Sequence, residues 1–292
     1  VEISIQALKK QYRDGKTALN QINLTIGVGM FGLLGPNGAG KSTLMQILAT
    51  VLGPTSGQVD YDNYRLGKDD HQIRQIIGYL PQTLGLYDKL TGEEFLNYIA
   101  LLKGVKDSKK RRLVVHEMLD KVNLADKAKL RIKTYSGGMK QRIGIAQALI
   151  GDPKVMIVDE PTAGLDPEER IRFRDLLEEL GLERTILLST HIVADIETSC
   201  RALAIMDRGR IVFQGSIEEL MGRVEDKVWV GMMEAGEYRL FAGSSRIVSR
   251  RKTFAGYEIR MVSDSRPDPG FVSAKPGLED AYILLTGSDD HA

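Results

Sequence analysis

The chain has 292 residues, too many for one ordinary domain and enough for a large domain plus a small one, or two of medium size. Hydrophobic residues at 42% and charged residues at 27% exclude a disordered chain. The 40 Lys and Arg against 39 Asp and Glu leave a net charge of +1, which excludes the basic excess of a general nucleic-acid binder, so no nucleic-acid partner is expected.

Residues 2–8 and 21–26 alternate apolar and polar, the pattern of an antiparallel β layer. Residues 29–34, 155–158, 185–188 and 202–206 are apolar runs of the kind buried on both faces of a parallel sheet. Over about residues 83–135 the pattern turns helical. Thr91 stands three residues before Glu94, the spacing of a capping box. Phe95, Tyr98, Ile99 and Leu102 then fall on one helical face. Val114, Val115, Met118, Leu119 and Val122 mark a second helix, and the basic residues 109–112 read as its solvated start. Cys200 is the single cysteine; it cannot make an internal disulfide and reads as a small buried hydrophobe. After Gly222 the texture changes. Residues 226–233, 238–241, 246–252 and 257–262 read as short strands, 266–270 as a loop and 278–285 as a short helix. No apolar run approaches the roughly 20 residues that span a bilayer, and no signal-peptide pattern opens the chain. The expectation is an intracellular protein that reaches a membrane only through a partner.

Gly35-Pro36-Asn37-Gly38-Ala39-Gly40-Lys41-Ser42-Thr43 fits the phosphate-binding pattern G-x-x-x-x-G-K-[ST]. Glycines let backbone N–H groups turn toward phosphates, and the following helix points its positive end at them. Lys41 then reaches the β- and γ-phosphates, and Ser42 ligates Mg²⁺. The strand at 155–158 delivers Asp159 and Glu160 to its C-terminal end, where open α/β sheets bind ligands. Asp159 suits the Mg²⁺ shell, and Glu160 suits polarising an attacking water. Ser136 reads as a helix N-cap ahead of Gly137 and Gly138, a segment that also permits a second anion site.

Together these residues resemble the ATP-binding subunits of ABC transporters, and the resemblance covers about residues 1–221. Ser136-Gly137-Gly138 is similar to the core of the ABC signature. Gln82 in Tyr79-Leu80-Pro81-Gln82 matches the Q-loop glutamine, Gly164-Leu165-Asp166 the D-loop, and His191 in Ser189-Thr190-His191 the switch histidine. Tyr12 lies where these proteins place an aromatic that stacks on adenine. Tyr135 and Met139 depart from the commonest signature, in a form the family uses in subunits paired with a separately encoded export permease.

The resemblance implies an α/β fold: a P-loop nucleotidase core with an N-terminal antiparallel β layer, an inserted helical subdomain at about 83–135, and a small C-terminal α+β domain. It implies an ATP-binding domain over 1–221 and an accessory, regulatory or dimerisation domain over 222–292. It implies a Mg²⁺-dependent ATPase that uses ATP and Mg²⁺ and works as a head-to-tail dimer with a second ATP-binding subunit. Residues 35–43 of one subunit would face Ser136 to Gly138 of the other. Lys41, Glu160 and His191 carry catalysis. Tyr12, residues 37–43, Gln82, Ser136, Gly137, Gly138 and Asp166 hold nucleotide, and Ser42, Gln82 and Asp159 hold the metal. The implied partner is an integral membrane permease that exports a substrate, with the ATPase on the cytoplasmic face. Leu84, Leu86 and Tyr87 lie along the stretch that receives the permease in this family. Leu278-Glu279-Asp280-Ala281-Tyr282 resembles tails of export-type subunits. An importer subunit and a non-transport ABC ATPase are the alternatives.

Overall fold

The computed structural model describes residues 1–162, 165–234, 246–254 and 256–287. Strands β1 (Ile3–Gln11) and β2 (Thr17–Ile26) pair antiparallel, and β3 (Gly29–Leu34) runs through a loop into helix α1 (Lys41–Leu48). β4 (Ser56–Tyr61) and β5 (Tyr64–Arg65) complete a sheet in the order β2-β1-β4-β5. The N-terminal layer therefore has two strands beyond those the alternation indicates. Its pattern is also shifted midway: Ile3, Ile5 and Leu8 are the buried residues of β1. The register slips between Ile5 and Leu8, where Ala7 takes φ 45°. A bulge of this kind moves the inward set by one residue.

Helix α2 (Asp70–Ile76) leads into β6 (Ile77–Leu80). Three longer helices follow: α3 (Gly92–Leu102), α4 (Ser108–Lys121) and α5 (Gly137–Leu149). The capping box is present at Thr91 and Glu94. The buried face of α3 differs from the expected one. Phe95, Leu96 and Ala100 are buried, whereas Tyr98 and Leu102 are exposed. α3 packs on α4 and α5, and with two partners the buried arc turns away from a strict i, i+3, i+4, i+7 stripe.

The chain then alternates: β7 (Val155–Asp159), α6 (Pro167–Gly181), β8 (Thr185–Thr190), α7 (Val193–Ser199), β9 (Ala202–Asp207), β10 (Arg210–Ser216) and α8 (Ile217–Gly222). The central sheet has the order β10-β9-β3-β8-β7-β6. All its neighbours are parallel except the edge strand β10. Its faces divide the core. Phe31, Leu33, Ile157 and Leu187 pack with α1 and the N-terminal layer. Leu34, Met156, Val158, Ile186 and Leu188 pack with the helical side. Apolar side chains on both faces make these strands continuous apolar runs.

Strands β11 (Val228–Met233), β12 (Arg246–Thr253), β13 (Gly256–Val262) and β14 (Val272–Ser273) form a third sheet, followed by helix α9 (Leu278–Thr286). The strand expected at 238–241 and Gly164 of the D-loop lie outside the described residues. Val228, Val262, Leu278 and Ala281 join the same core cluster as Phe213 and Leu220. Cys200 is buried in that cluster, and burial pushes its thiol up to about 12.

Candidate active site

The parallel order brings the C-terminal ends of β3, β8 and β7 side by side, and the site is assembled there. β3 ends at Leu34. The loop turns into α1 through Gly40, whose φ of 107° is left-handed. A Cβ there would also lie 2.6 Å from the Ala18 carbonyl oxygen, so the position admits only glycine. No side chain caps α1. Its first N–H groups face the loop of residues 35–40, the arrangement that receives an anion.

Lys41 is 5% exposed. Its Nζ donates to the Gly35 carbonyl at 2.7 Å and the Pro36 carbonyl at 3.2 Å, and lies 3.6 Å from Glu160 Oε1. Burial holds its ammonium below the ordinary lysine range, against the opposing pull of Glu160 and Asp159. This cation is folded onto the loop that the motif assigns to phosphates.

Successive side chains of a strand point to opposite faces, yet Asp159 and Glu160 both serve this pocket. The backbone solves the conflict at Glu160, which leaves β7 with φ 47°. Its N–H donates to the Ser189 carbonyl on β8 at 3.1 Å. Its carboxylate collects three partners from three segments: Lys41, Gln82 Nε2 at 3.1 Å, and His191 Nδ1 at 3.3 Å. His191 follows β8 with its side chain half exposed. Asp159 is buried, and Ser189 donates its hydroxyl to Asp159 Oδ1. Burial pushes the Asp159 carboxyl up, while hydrogen bonds from Ser189 and Ser42 pull it back down. Tyr79, on β6, is pushed up to about 12 by burial and by Asp159.

Ser42 and Asp159 thus offer one hydroxyl and one carboxylate together. This fits Mg²⁺, which takes one or two protein oxygens and fills its octahedron with water and substrate phosphates. Gln82, the third residue of the expected metal set, spends its amide on Glu160 instead. Tyr12 follows β1, with its hydroxyl 3.3 Å from Thr43 Oγ1 and its ring exposed. Lys10 Nζ lies 5.5 Å from that ring's centre. The chain so gathers Tyr12, residues 35–43, Gln82, Asp159, Glu160 and His191 into one region.

Ser136, Gly137, Gly138 and Asp166 are placed elsewhere. Ser136 caps α5, accepting from the Met139 N–H at 3.2 Å. A Cβ on Gly138 would fall 1.9 Å from the Glu169 carboxylate, so α6 abuts the first turn of α5. Arg142 lies 3.7 Å from the same carboxylate. Asp166 caps α6, accepting from the Glu169 N–H at 2.8 Å. Tyr135 is buried and donates its hydroxyl to the Lys127 carbonyl at 3.0 Å. Among the described residues, no hydrogen bond or ion pair joins Ser136, Gly137, Gly138 or Asp166 to residues 35–43. Ser189, Thr162 and Asp195 are parts of the site's frame that motif reading does not find. Each is a common residue whose partner lies some 30 residues away.

A family model described as "ABC transporter" matches residues 19–163. The chain is 40% identical over 228 residues to the uncharacterized ABC transporter ATP-binding protein YxlF of Bacillus subtilis, covering 78% of this chain and 75% of the relative. It is 32% identical to the Nod factor export ATP-binding protein I of a Rhizobium species, covering 99% of this chain and 98% of the relative. Among solved structures it is similar to a dimeric post-hydrolysis state of the ATP-binding cassette MJ0796 bound to ADP and Pi. That match has a TM-score of 0.68 and 27% identity, over 74% of this chain and 98% of the cassette.

Proposed function

Because this chain belongs to the ATP-binding subunits of ABC transporters, we propose that it binds ATP on residues 35–43 and hydrolyses it to power export through a separate membrane permease. The observation that carries the chemistry is the convergence of Lys41, Gln82 and His191 on Glu160.

Loop N–H groups and Lys41 hold the β- and γ-phosphates, and the exposed Tyr12 ring stacks on adenine. Phosphate oxygens replace the Gly35 and Pro36 carbonyls as acceptors for Lys41, which also frees Glu160. Glu160 then takes the proton of a water aligned with the γ-phosphate. His191, beside Glu160, contacts the γ-phosphate. Ser42, Asp159 and Gln82 would hold Mg²⁺. Mg²⁺, when bound, neutralises charge on the phosphate oxygens.

Ser136, Gly137 and Gly138 lie apart from the chain's own loop, which supports a head-to-tail dimer. The capped N-terminus of α5 in one copy meets the nucleotide on the other, with Asp166 at the same seam. ATP joins the two positive helix ends, and hydrolysis loosens them. Among the described residues no helix is long and apolar enough to cross a membrane, in keeping with a permease supplied by another protein. The export-named relative, alike over nearly the whole chain, supports the direction of transport. Residues 1–221 form the ATP-binding domain, and residues 222–292 an accessory unit that stabilises or regulates it.

The test is Glu160→Gln. It should bind ATP as wild type does, lose turnover by at least about a hundredfold, and shift to a dimer with ATP and Mg²⁺. Captured in that state from solubilised membranes, it should bring a multi-spanning protein. Wild-type turnover would overturn the catalytic assignment. Capture of soluble partners alone would favour a non-transport ATPase.

A further inference from the structure

We propose that Thr162 and Asp195 are positioning residues for hydrolysis, and that their hydrogen bond sets the distance between Glu160 and His191. Thr162 Oγ1 donates to Asp195 Oδ2 at 2.7 Å, and both residues are 5% exposed. Thr162 lies two residues beyond Glu160. Asp195 lies four beyond His191, in the first turn of α7. The sequence segments that carry the two reactive side chains are therefore joined just past those side chains.

The frame needs such a joint. β7 and β8 are held by their ladder as far as Asp159 and Ser189. Glu160 leaves the strand with positive φ, so the ladder stops fixing the chain where the chemistry begins. One pin lies before the gap, where Ser189 binds Asp159 and the Glu160 N–H. The Thr162–Asp195 bond is the pin beyond it. Between them stands the Glu160–His191 pair at 3.3 Å. Two pins around one contact limit both rotation and separation, which a single pin does not.

The choice of residues points the same way. A carboxylate is costly to bury, and an apolar pair of the same volume holds segments together at least as well. What a charge-assisted hydrogen bond adds is a fixed distance and direction. Catalytic groups held to a fraction of an ångström need that constraint. Among the described contacts, neither residue touches Lys41, Ser42 or residues 35–40, so their action reaches the nucleotide only through Glu160 and His191.

The assignment rests on the catalytic roles proposed for Glu160 and His191, and the experiment separates the two. ATP affinity, KM and kcat are measured for Thr162→Val, Thr162→Ser, Asp195→Leu and Glu160→Gln, with rates taken per mole of nucleotide-binding protein. Thr162→Val removes the donor at constant shape, and Asp195→Leu removes acceptor and charge together, so it folds without a stranded carboxylate. Both should lose about tenfold in kcat, with KM and ATP affinity within about twofold of wild type. Thr162→Ser keeps the hydroxyl and should recover most of the rate. A purely structural bond would lower the folded fraction and leave kcat per binding site unchanged. If Glu160→Gln is inactive while Thr162→Val and Asp195→Leu keep wild-type kcat, or if Thr162→Ser fails as badly as Thr162→Val, the positioning role is overturned. If Glu160→Gln turns over normally, the catalytic reading beneath it falls instead.

Discussion

Asp159 ends β7 almost wholly buried, with Lys41 nearby and the hydroxyls of Ser42 and Ser189 against it. Desolvation outweighs these partners, and the carboxyl titrates above the ordinary aspartate range. The folded chain therefore holds this proton more tightly than the unfolded chain does. Stability from this group is greatest below the unfolded pKa, and it falls as pH rises through the raised folded value. In the protein without nucleotide, Asp159→Asn should raise the melting temperature at pH 7 by about 2–4 °C. The gain should shrink as pH falls through the raised folded value and vanish below the unfolded aspartate value of about 4, where both states hold the proton. Equal melting temperatures at both pH values would contradict the burial cost. The site thus carries an unfavourable charge, one that the cation proposed for Ser42 and Asp159 would relieve.

Helix ends carry two tasks at once in this fold. Ser136 accepts from the Met139 N–H and so caps α5, while the same hydroxyl is proposed to meet the nucleotide on a second copy. The tasks separate by substitution. Ser136→Ala removes the cap and should cost about 1 kcal/mol of stability, whereas Ser136→Gly costs only a few tenths. Both variants lose the hydroxyl, so both should weaken ATP-driven dimerisation of the Glu160→Gln protein by about tenfold or more. Urea denaturation reads the first effect and sedimentation with ATP the second. Dimerisation that follows stability, with Gly behaving as wild type, would leave Ser136 as a cap alone.

Over the whole molecule, the C-terminal sheet is tied down by an ion pair between the partly exposed Arg260 and a buried carboxylate. Arg260 on β13 donates to both oxygens of Asp280 at 2.8 and 2.6 Å, and the Gly277 N–H adds a third bond at 2.6 Å. Asp280 is fully buried in the first turn of α9. Its hydrogen bonds, and then its charge, raise the Arg260 guanidinium above its ordinary value. Arg260→Ala strands that carboxylate and should cost about 3 kcal/mol. Limited proteolysis should then cut first beyond residue 222 and leave an N-terminal fragment that still binds ATP. Simultaneous loss of ATP binding and of the C-terminal sheet would show that the shared cluster of Phe213, Leu220, Val228 and Leu278 folds as one unit.

The parts legible in the sequence are those whose physics is local. A phosphate loop needs Gly, Lys and Ser within eight consecutive positions, a doubly buried strand is apolar at every position, and a capping box spans four residues. Residues 29–43, 155–160 and 91–94 therefore declare themselves. β6 does not, because four residues are too short to show a period, and β1 hides its slip because the bulge at Ala7 breaks the alternation from within. The resemblance, built on local motifs, indicates Gln82 and His191 but not that both close on Glu160. That convergence follows from the strand order β3-β8-β7-β6, which sets the ends of distant segments side by side. The same order pairs Thr162 with Asp195 across 33 positions and Ser189 with Asp159. The sequence alone determined the chemistry available, because reactivity belongs to residue types and short spacings. Only the tertiary structure decided which of those groups touch, because contact between remote segments depends on how the sheet is ordered and packed.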